Sequence, residues 1–214
     1  MGHEVVIVHN GLEALEATQQ QAFDLMILDA VMPEMDGIKL CRLLRAEPAT
    51  ATVPILLLLA KAQIGNRAES LEVGADDYLT KPFAFQDLAL RVKAFLRRFE
   101  AASSEKKALV RVGPLSLDAR TFEVNVGGKT ALLTPVEFEL LRFLMAHPGE
   151  VISNDRLLQE IWGYPPGVGS PGLVRMYIRK LRLKIEPSPS SPIYIKTVRR
   201  RGYILSPQWP INHP

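Results

Sequence analysis

Apolar positions along the first hundred residues alternate between two textures. Continuous runs at "EVVIV" (4–8), "FDLMILD" (23–29), "VPILLLLA" (53–60) and "DDYLT" (76–80) read as strands. Their unbroken character suits strands buried on both faces, as in a parallel sheet covered by helices. Helix-period stretches lie between them. One begins at Asn10, with Glu13 three residues on as a capping pair. Another carries Ile38, Cys41 and Leu44 on one face. A third runs to about Val73 and stops at Gly74. The last shows Leu88, Val92, Phe95 and Phe99. Strand–helix alternation of this kind predicts an α/β domain over 1–100.

The pattern changes after "EAASSEKKA" (100–108), a small, polar, charged stretch read as a linker over 101–107. "LVRV", "LSLD", "TFEVNV" and "TALLT" are short β-type runs, with Gly127-Gly128 as a hairpin turn. "TPVEFELLRFLMAHPG" opens a helix: Thr134 as N-cap, Pro135 at the first helical position, Glu137 closing a capping box. "SNDRLLQEIWG" (153–163) is a second helix and "LVRMYIRKLRLKIE" (173–186) a third. "IYIKTVRRRGYIL" (193–205) reads as a hairpin. The second domain is therefore expected over 108–207, with a tail at 208–214.

Charge sharpens this division. Residues 1–100 hold 10 Lys+Arg against 14 Asp+Glu, and residues 101–214 hold 16 against 9. A basic second domain has a polyanion as its natural partner. The longest apolar run is far too short to span a bilayer, and the N-terminus lacks the form of a secretion signal. The lone Cys41 fits a reducing cytoplasm.

On the third helix of the basic domain, Val174, Ile178, Leu181 and Ile185 form one apolar stripe. Arg175, Met176, Arg179, Lys180 and Leu183 cover the opposite side, with Arg182 and Lys184 on the flanks. Such a helix can lie in a major groove, where Arg pairs with guanine edges. The hairpin adds Lys196, Arg199, Arg200 and Arg201, suited to phosphates or a minor groove. Either element alone fits a solvated cationic face. Together they favour double-stranded nucleic acid, since the aromatic residues form no stacking platform for single strands. No zinc cluster, P-loop, dinucleotide glycine motif or nucleophile–His–acid set marks an enzyme.

At this point the motifs become specific. "LTPVEFELLRFLMAHPGEVISNDRLLQEIWG", "VRMYIRKLRLKIE" and "YIKTVRRRGYIL" resemble the winged-helix output domain of OmpR/PhoB-type response regulators. "DLMILDAVMPEMDGIKLCRLLR", "VPILLLLA" and "GADDYLTKPF" resemble their receiver domain. The resemblance implies an α/β flavodoxin-like receiver followed by an α+β winged-helix domain. It implies a cytoplasmic transcription regulator that binds promoter DNA in tandem as a homodimer and answers to a sensor histidine kinase. Trp162, Arg182 and Thr197 match phosphate-contacting positions. Arg179 and Lys180 match base or phosphate contacts, Arg199 the wing arginine and Tyr203 the residue after the wing glycine, Gly202. Arg175, Arg200 and Arg201 complete the expected DNA face. The loop 163–172 matches the stretch offered to RNA polymerase. Gly172, Arg175 and Arg200 depart from the usual family residues, so the DNA sequence preference does not carry over.

The same resemblance makes Asp29 the phosphoacceptor, Lys81 the lysine that holds the phosphoryl group, and Tyr78 the switch aromatic. Lys81-Pro82 matches a cis bond. Arg67, Asp77, Asp87, Arg91 and Lys93 match the receiver's dimer face. Phosphoryl transfer to a carboxylate also needs Mg²⁺, held by acidic neighbours, and a hydroxyl for the phosphoryl oxygens. Leu59 stands where the family has Ser or Thr. The chain begins at what matches the family's second strand. A first strand and helix of roughly 20–25 residues in the flavodoxin-like order are therefore expected to be missing. The metal-binding acid pair goes with them, leaving Asp29 as the one candidate Mg²⁺ ligand. Two readings stay open: a response regulator with an atypical or phosphorylation-impaired receiver, or a pseudo-receiver that controls DNA binding by dimerisation or partner binding.

Overall fold

The computed structural model describes residues 2–60, 73–104 and 109–206, with the backbone alone for 98–104. The chain forms two compact units, Met1–Val92 and Lys93–Pro214.

In the first unit, helix α1 (Gly11–Gln20) precedes strand β1 (Met26–Asp29), helix α2 (Gly37–Ala46), β2 (Ile55–Ala60) and β3 (Asp77–Lys81). The sheet is parallel in the order β1-β2-β3, pairing Asp29 with Leu58 and Leu59 with Thr80. The Asn10 side chain caps α1 by accepting from Leu12 N and Glu13 N, and Glu13 accepts from His9 N. Ile55, Leu56, Leu57 and Leu59 are fully buried, as a two-faced strand requires. Leu40, Cys41 and Leu44 form the buried stripe of α2, and Ile38 lies only half-buried beside it.

One polar hub crosses this core. Asp76 is fully buried, and its Oδ2 accepts from Arg45 Nη2 at 2.6 Å and from Ile55 N at 2.9 Å. Arg45 also donates to the carbonyls of Val53 at 2.6 Å and Gly74 at 2.8 Å. A buried ion pair is tolerable only when its remaining donors and acceptors are satisfied in this way.

Two expectations are corrected. The run 4–8 is not a strand: it lies outside any ladder, with Val5 73% and Ile7 78% exposed. A strand exists only through partners for its N–H and C=O groups, and β1 pairs with β2 alone among the described residues. The linker expected over 101–107 is helical in part. Helix α3 (Phe85–Ser104) runs through 101–104, because no Gly or Pro stands between Pro82 and Gly113 to stop it. The helical stretch expected before Gly74 falls largely outside the described residues.

The second unit opens with an antiparallel meander, β4 (Leu109–Val112), β5 (Leu115–Asp118), β6 (Glu123–Val126) and β7 (Lys129–Leu132). Helix α4 (Pro135–Ala146) follows, then α5 (Asn154–Leu157), continued by a wider π turn (Leu158–Trp162). Helix α6 (Pro171–Ile185) and the hairpin β8 (Ile195–Val198) and β9 (Gly202–Leu205) complete it. Helix α4 is buried nearly all round, through Val136, Phe138, Leu140, Leu141, Leu144 and Met145. Its two buried acids are satisfied. Glu137 accepts from Thr134 N at 3.0 Å and Lys184 Nζ at 2.5 Å, and Glu139 pairs with Arg142 at 2.8 Å. Among the described residues no helix is long and apolar enough to cross a membrane.

Removing Arg45 leaves the buried Asp76 carboxylate without its charge partner. Arg45→Ala is expected to cost the first unit about 3–5 kcal/mol. Both tryptophans lie beyond residue 160, so their fluorescence reports the second unit. Urea unfolding followed by circular dichroism should move to lower midpoint while the tryptophan transition stays in place.

Candidate nucleic-acid interface and acceptor site

Helix α6 is held against the β8–β9 hairpin by two side chains of opposite charge. The Glu186 carboxylate, buried at the end of α6, accepts from Ile193 N at 2.8 Å, Tyr194 N at 3.0 Å and Ile195 N at 2.8 Å. Arg182, one turn earlier, donates through Nη2 to Ile195 O at 2.7 Å and to Thr197 Oγ1 at 2.9 Å. Its guanidinium also lies 6.0 Å from the Tyr203 ring centroid. Burial lowers the Arg182 pKa, opposed by the nearby Tyr203 and Glu186, and burial raises that of Tyr203. Sequence reasoning missed Glu186. Its signal was present: the single acid in a helix of five basic residues, placed just before "PSPSSP".

The hairpin is joined to the helices by a close backbone approach. Tyr203 N donates to Ile152 O at 2.9 Å, and Ile152 N to Tyr203 O at 2.8 Å. A Cβ at Gly202 (φ of 137°) would stand 1.9 Å from the Ile152 carbonyl oxygen, so only glycine fits.

Of the ten residues expected on the DNA face, the structure brings six into one exposed arrangement. Arg175 and Arg179 project from α6, and Thr197, Arg199, Arg200 and Arg201 lie on β8 and its turn. Lys180 is half-buried on α6, its ammonium 5.1 Å from the Tyr177 ring centroid. Trp162 and Tyr203 are 3% and 6% exposed, so most of each ring lies in the core. Trp162 packs on Tyr177 with ring centroids 5.3 Å apart. Arg182 likewise binds the hairpin instead of facing outward. Arg200 has a φ of 61°, a left-handed conformation that glycine adopts more readily than arginine.

At the other site, Lys81 Nζ donates to Asp29 Oδ2, and Asp29 Oδ1 accepts from Val31 N at 3.2 Å. The Lys81-Pro82 peptide is cis. The loop after Asp29 is closed by Gly37, whose N–H donates to Ala30 O at 3.2 Å. A Cβ there would lie 2.1 Å from Asp29 O. Asp36 caps α2 by accepting from Lys39 N at 2.7 Å. Leu59 presents a fully buried alkyl group at the expected hydroxyl position, and Tyr78 is half-buried on β3. No group of three or more His, Cys, Asp or Glu among the described residues could hold a metal. Mg²⁺ is ordinarily held by one or two carboxylates and several waters, and Asp29 is the candidate carboxylate among the described residues here.

The expected dimer residues separate. Asp77 and Arg91 pair with each other within the chain, Asp77 being almost fully buried. Asp87 and Lys93 are exposed on α3. Arg67 lies outside the described residues.

A parallel α/β unit with an acid–lysine pair at its strand ends, followed by a helix-and-wing unit with a cationic face, defines a two-domain signalling regulator. Residues 1–93 match the family described as response regulator receiver domain, and residues 128–205 match transcriptional regulatory protein, C terminal. The chain is 39% identical over 206 residues to the DNA-binding dual master transcriptional regulator RpaA of Synechocystis. That match covers 95% of this chain and 85% of RpaA. It is 40% identical to the alkaline phosphatase synthesis transcriptional regulatory protein PhoP of Bacillus subtilis, covering 95% and 87%. A solved structure of a RitR point mutant superposes with a TM-score of 0.70 at 27% identity, covering 92% of this chain and 85% of that one. The chain belongs to the OmpR/PhoB-type response regulators, transcriptional regulators of two-component systems.

Arg200 is strained and exposed on the hairpin turn. Arg200→Gly is expected to stabilise the second unit by about 1 kcal/mol, since glycine adopts this conformation without the side-chain clash. It should also lower the salt dependence of DNA binding by about one phosphate. Thermal unfolding and salt titrations check the two effects separately.

Proposed function

We propose that this regulator binds promoter DNA through α6 and the β8–β9 turn, and that its receiver is impaired as a phosphorylation switch. One observation supports each part. For DNA, Arg175, Arg179, Arg199, Arg200 and Arg201 are all exposed on two elements that Arg182 and Glu186 tie together. For the receiver, Leu59 buries carbon where the transferred phosphoryl group needs a hydroxyl donor.

Helix α6 reads base edges in the major groove, and the wing arginines meet phosphates or the minor groove. Asp29 is the phosphoacceptor position, with Lys81 placed to hold an anion beside it and Tyr78 as the switch aromatic. A sensor histidine kinase and Mg²⁺ belong to this reading as partners of the receiver. Asp87 and Lys93 remain available for a homodimer contact, whereas Asp77 and Arg91 act inside the chain. The loop 163–172 is the RNA polymerase contact, and the cytoplasm is the place of action. The buried Leu59 equally favours the pseudo-receiver reading, in which dimerisation or a partner controls DNA binding without phosphoryl transfer.

Specific binding should weaken steeply with salt, log K falling with log [salt] by about 0.9 per phosphate neutralised on duplex DNA. A flat profile between low and moderate salt would exclude the groove-and-phosphate mode. Incubation with acetyl phosphate and Mg²⁺ should leave the chain unlabelled. Stable labelling that disappears in Asp29→Asn would restore an ordinary phosphorylation switch.

A further inference from the structure

Three consecutive residues near the end of α6 point away from its core in different ways. Arg182 is bound to Ile195 O and Thr197. Lys184 is bound to Glu137 and Leu132 O. Between them Leu183 is 57% exposed. Leu181 and Ile185, two positions to either side and about 200° around the helix, are buried. Leu183 therefore stands opposite the packed stripe, one turn beyond the exposed Arg179 on the same face.

A single exposed leucine is ordinary on a protein surface. This one occupies the face that a groove-binding helix turns toward the bases. Neither basic neighbour competes for its place, because both are held by the protein. An alkyl group gains nothing from a phosphate. In the major groove its match is the C5-methyl of thymine, the one apolar feature on a base edge. We propose that Leu183 is a specificity-determining residue that reads a thymine methyl group. This rests on the reading of α6 as the groove-binding helix.

The test uses the full chain and a binding site selected from random duplex DNA. Each thymine of the site is replaced in turn by deoxyuridine, which removes only the methyl group. At one thymine or more, affinity should fall about fourfold, the worth of one buried methyl. Leu183→Ala should bind the thymine and deoxyuridine sites equally, with its thermal unfolding unchanged. The proposal is overturned if every deoxyuridine effect persists in Leu183→Ala. It is also overturned if Leu183→Ala loses only cooperativity between adjacent sites, which would make Leu183 a contact with a second copy. Failure to select any sequence would instead sink the DNA-binding reading, and this proposal with it.

Discussion

The cationic face depends on a buried carboxylate. Glu186 sits at the C-terminal end of α6, where the helix dipole disfavours negative charge. It persists there because three successive backbone N–H groups, those of Ile193, Tyr194 and Ile195, converge on it. Hydrogen bonds to a charged acceptor contribute about 1.5–3 kcal/mol each. They also fix where β8 begins. Arg182 then grips the same strand from the side through Ile195 O and Thr197. An acceptor and a donor one turn apart on α6 thus capture complementary backbone groups of β8. Register and distance between recognition helix and wing follow from that pairing.

This clamp divides the basic residues of α6 by task. Arg182 and Lys184 spend their hydrogen bonds inside the protein, and Lys180 lies near the Tyr177 ring. Arg175 and Arg179 are exposed on the outer face of α6. Counting positive charge along the helix therefore overstates the charge presented to a ligand. The wing compensates with Arg199, Arg200 and Arg201 in succession, accepting left-handed strain at Arg200 to do so.

Legibility in the sequence followed how local each interaction is. The hairpin strands β4 to β7, the Asn10 cap and the buried stripe of α6 depend on neighbours a few residues away, and periodicity exposed them; β1 to β3 showed as continuous apolar runs although their partners are distant in sequence. The run 4–8 misled because its apolar side chains satisfy the pattern of a strand while a strand also needs a ladder. Pattern cannot report whether that partner exists. The continuation of α3 through 101–104 was hidden by composition: small polar residues resemble a linker but do not break a helix. Arg45 and Asp76 were illegible as hubs, because they act largely on backbone groups that carry no residue identity. Arg182 and Tyr203 also meet each other, a contact that no local pattern reports.

The same distinction separates address from chemistry at Asp29. Gly37 and Asp36 hold the loop that follows it, and Lys81 reaches it across the sheet. Chemistry there would require donors converging on a transferred phosphoryl group. Leu59 occupies one of those positions with an alkyl chain that cannot donate a hydrogen bond. Its burial is what the sheet gains: Leu59 completes a β2 in which Ile55, Leu56 and Leu57 are already packed. A hydroxyl at that position would serve the phosphoryl group only when one is present, and otherwise would stand as a polar atom against an apolar wall. Leucine resolves that conflict in favour of the core. The Asp29–Lys81 pair stays beside that packed strand.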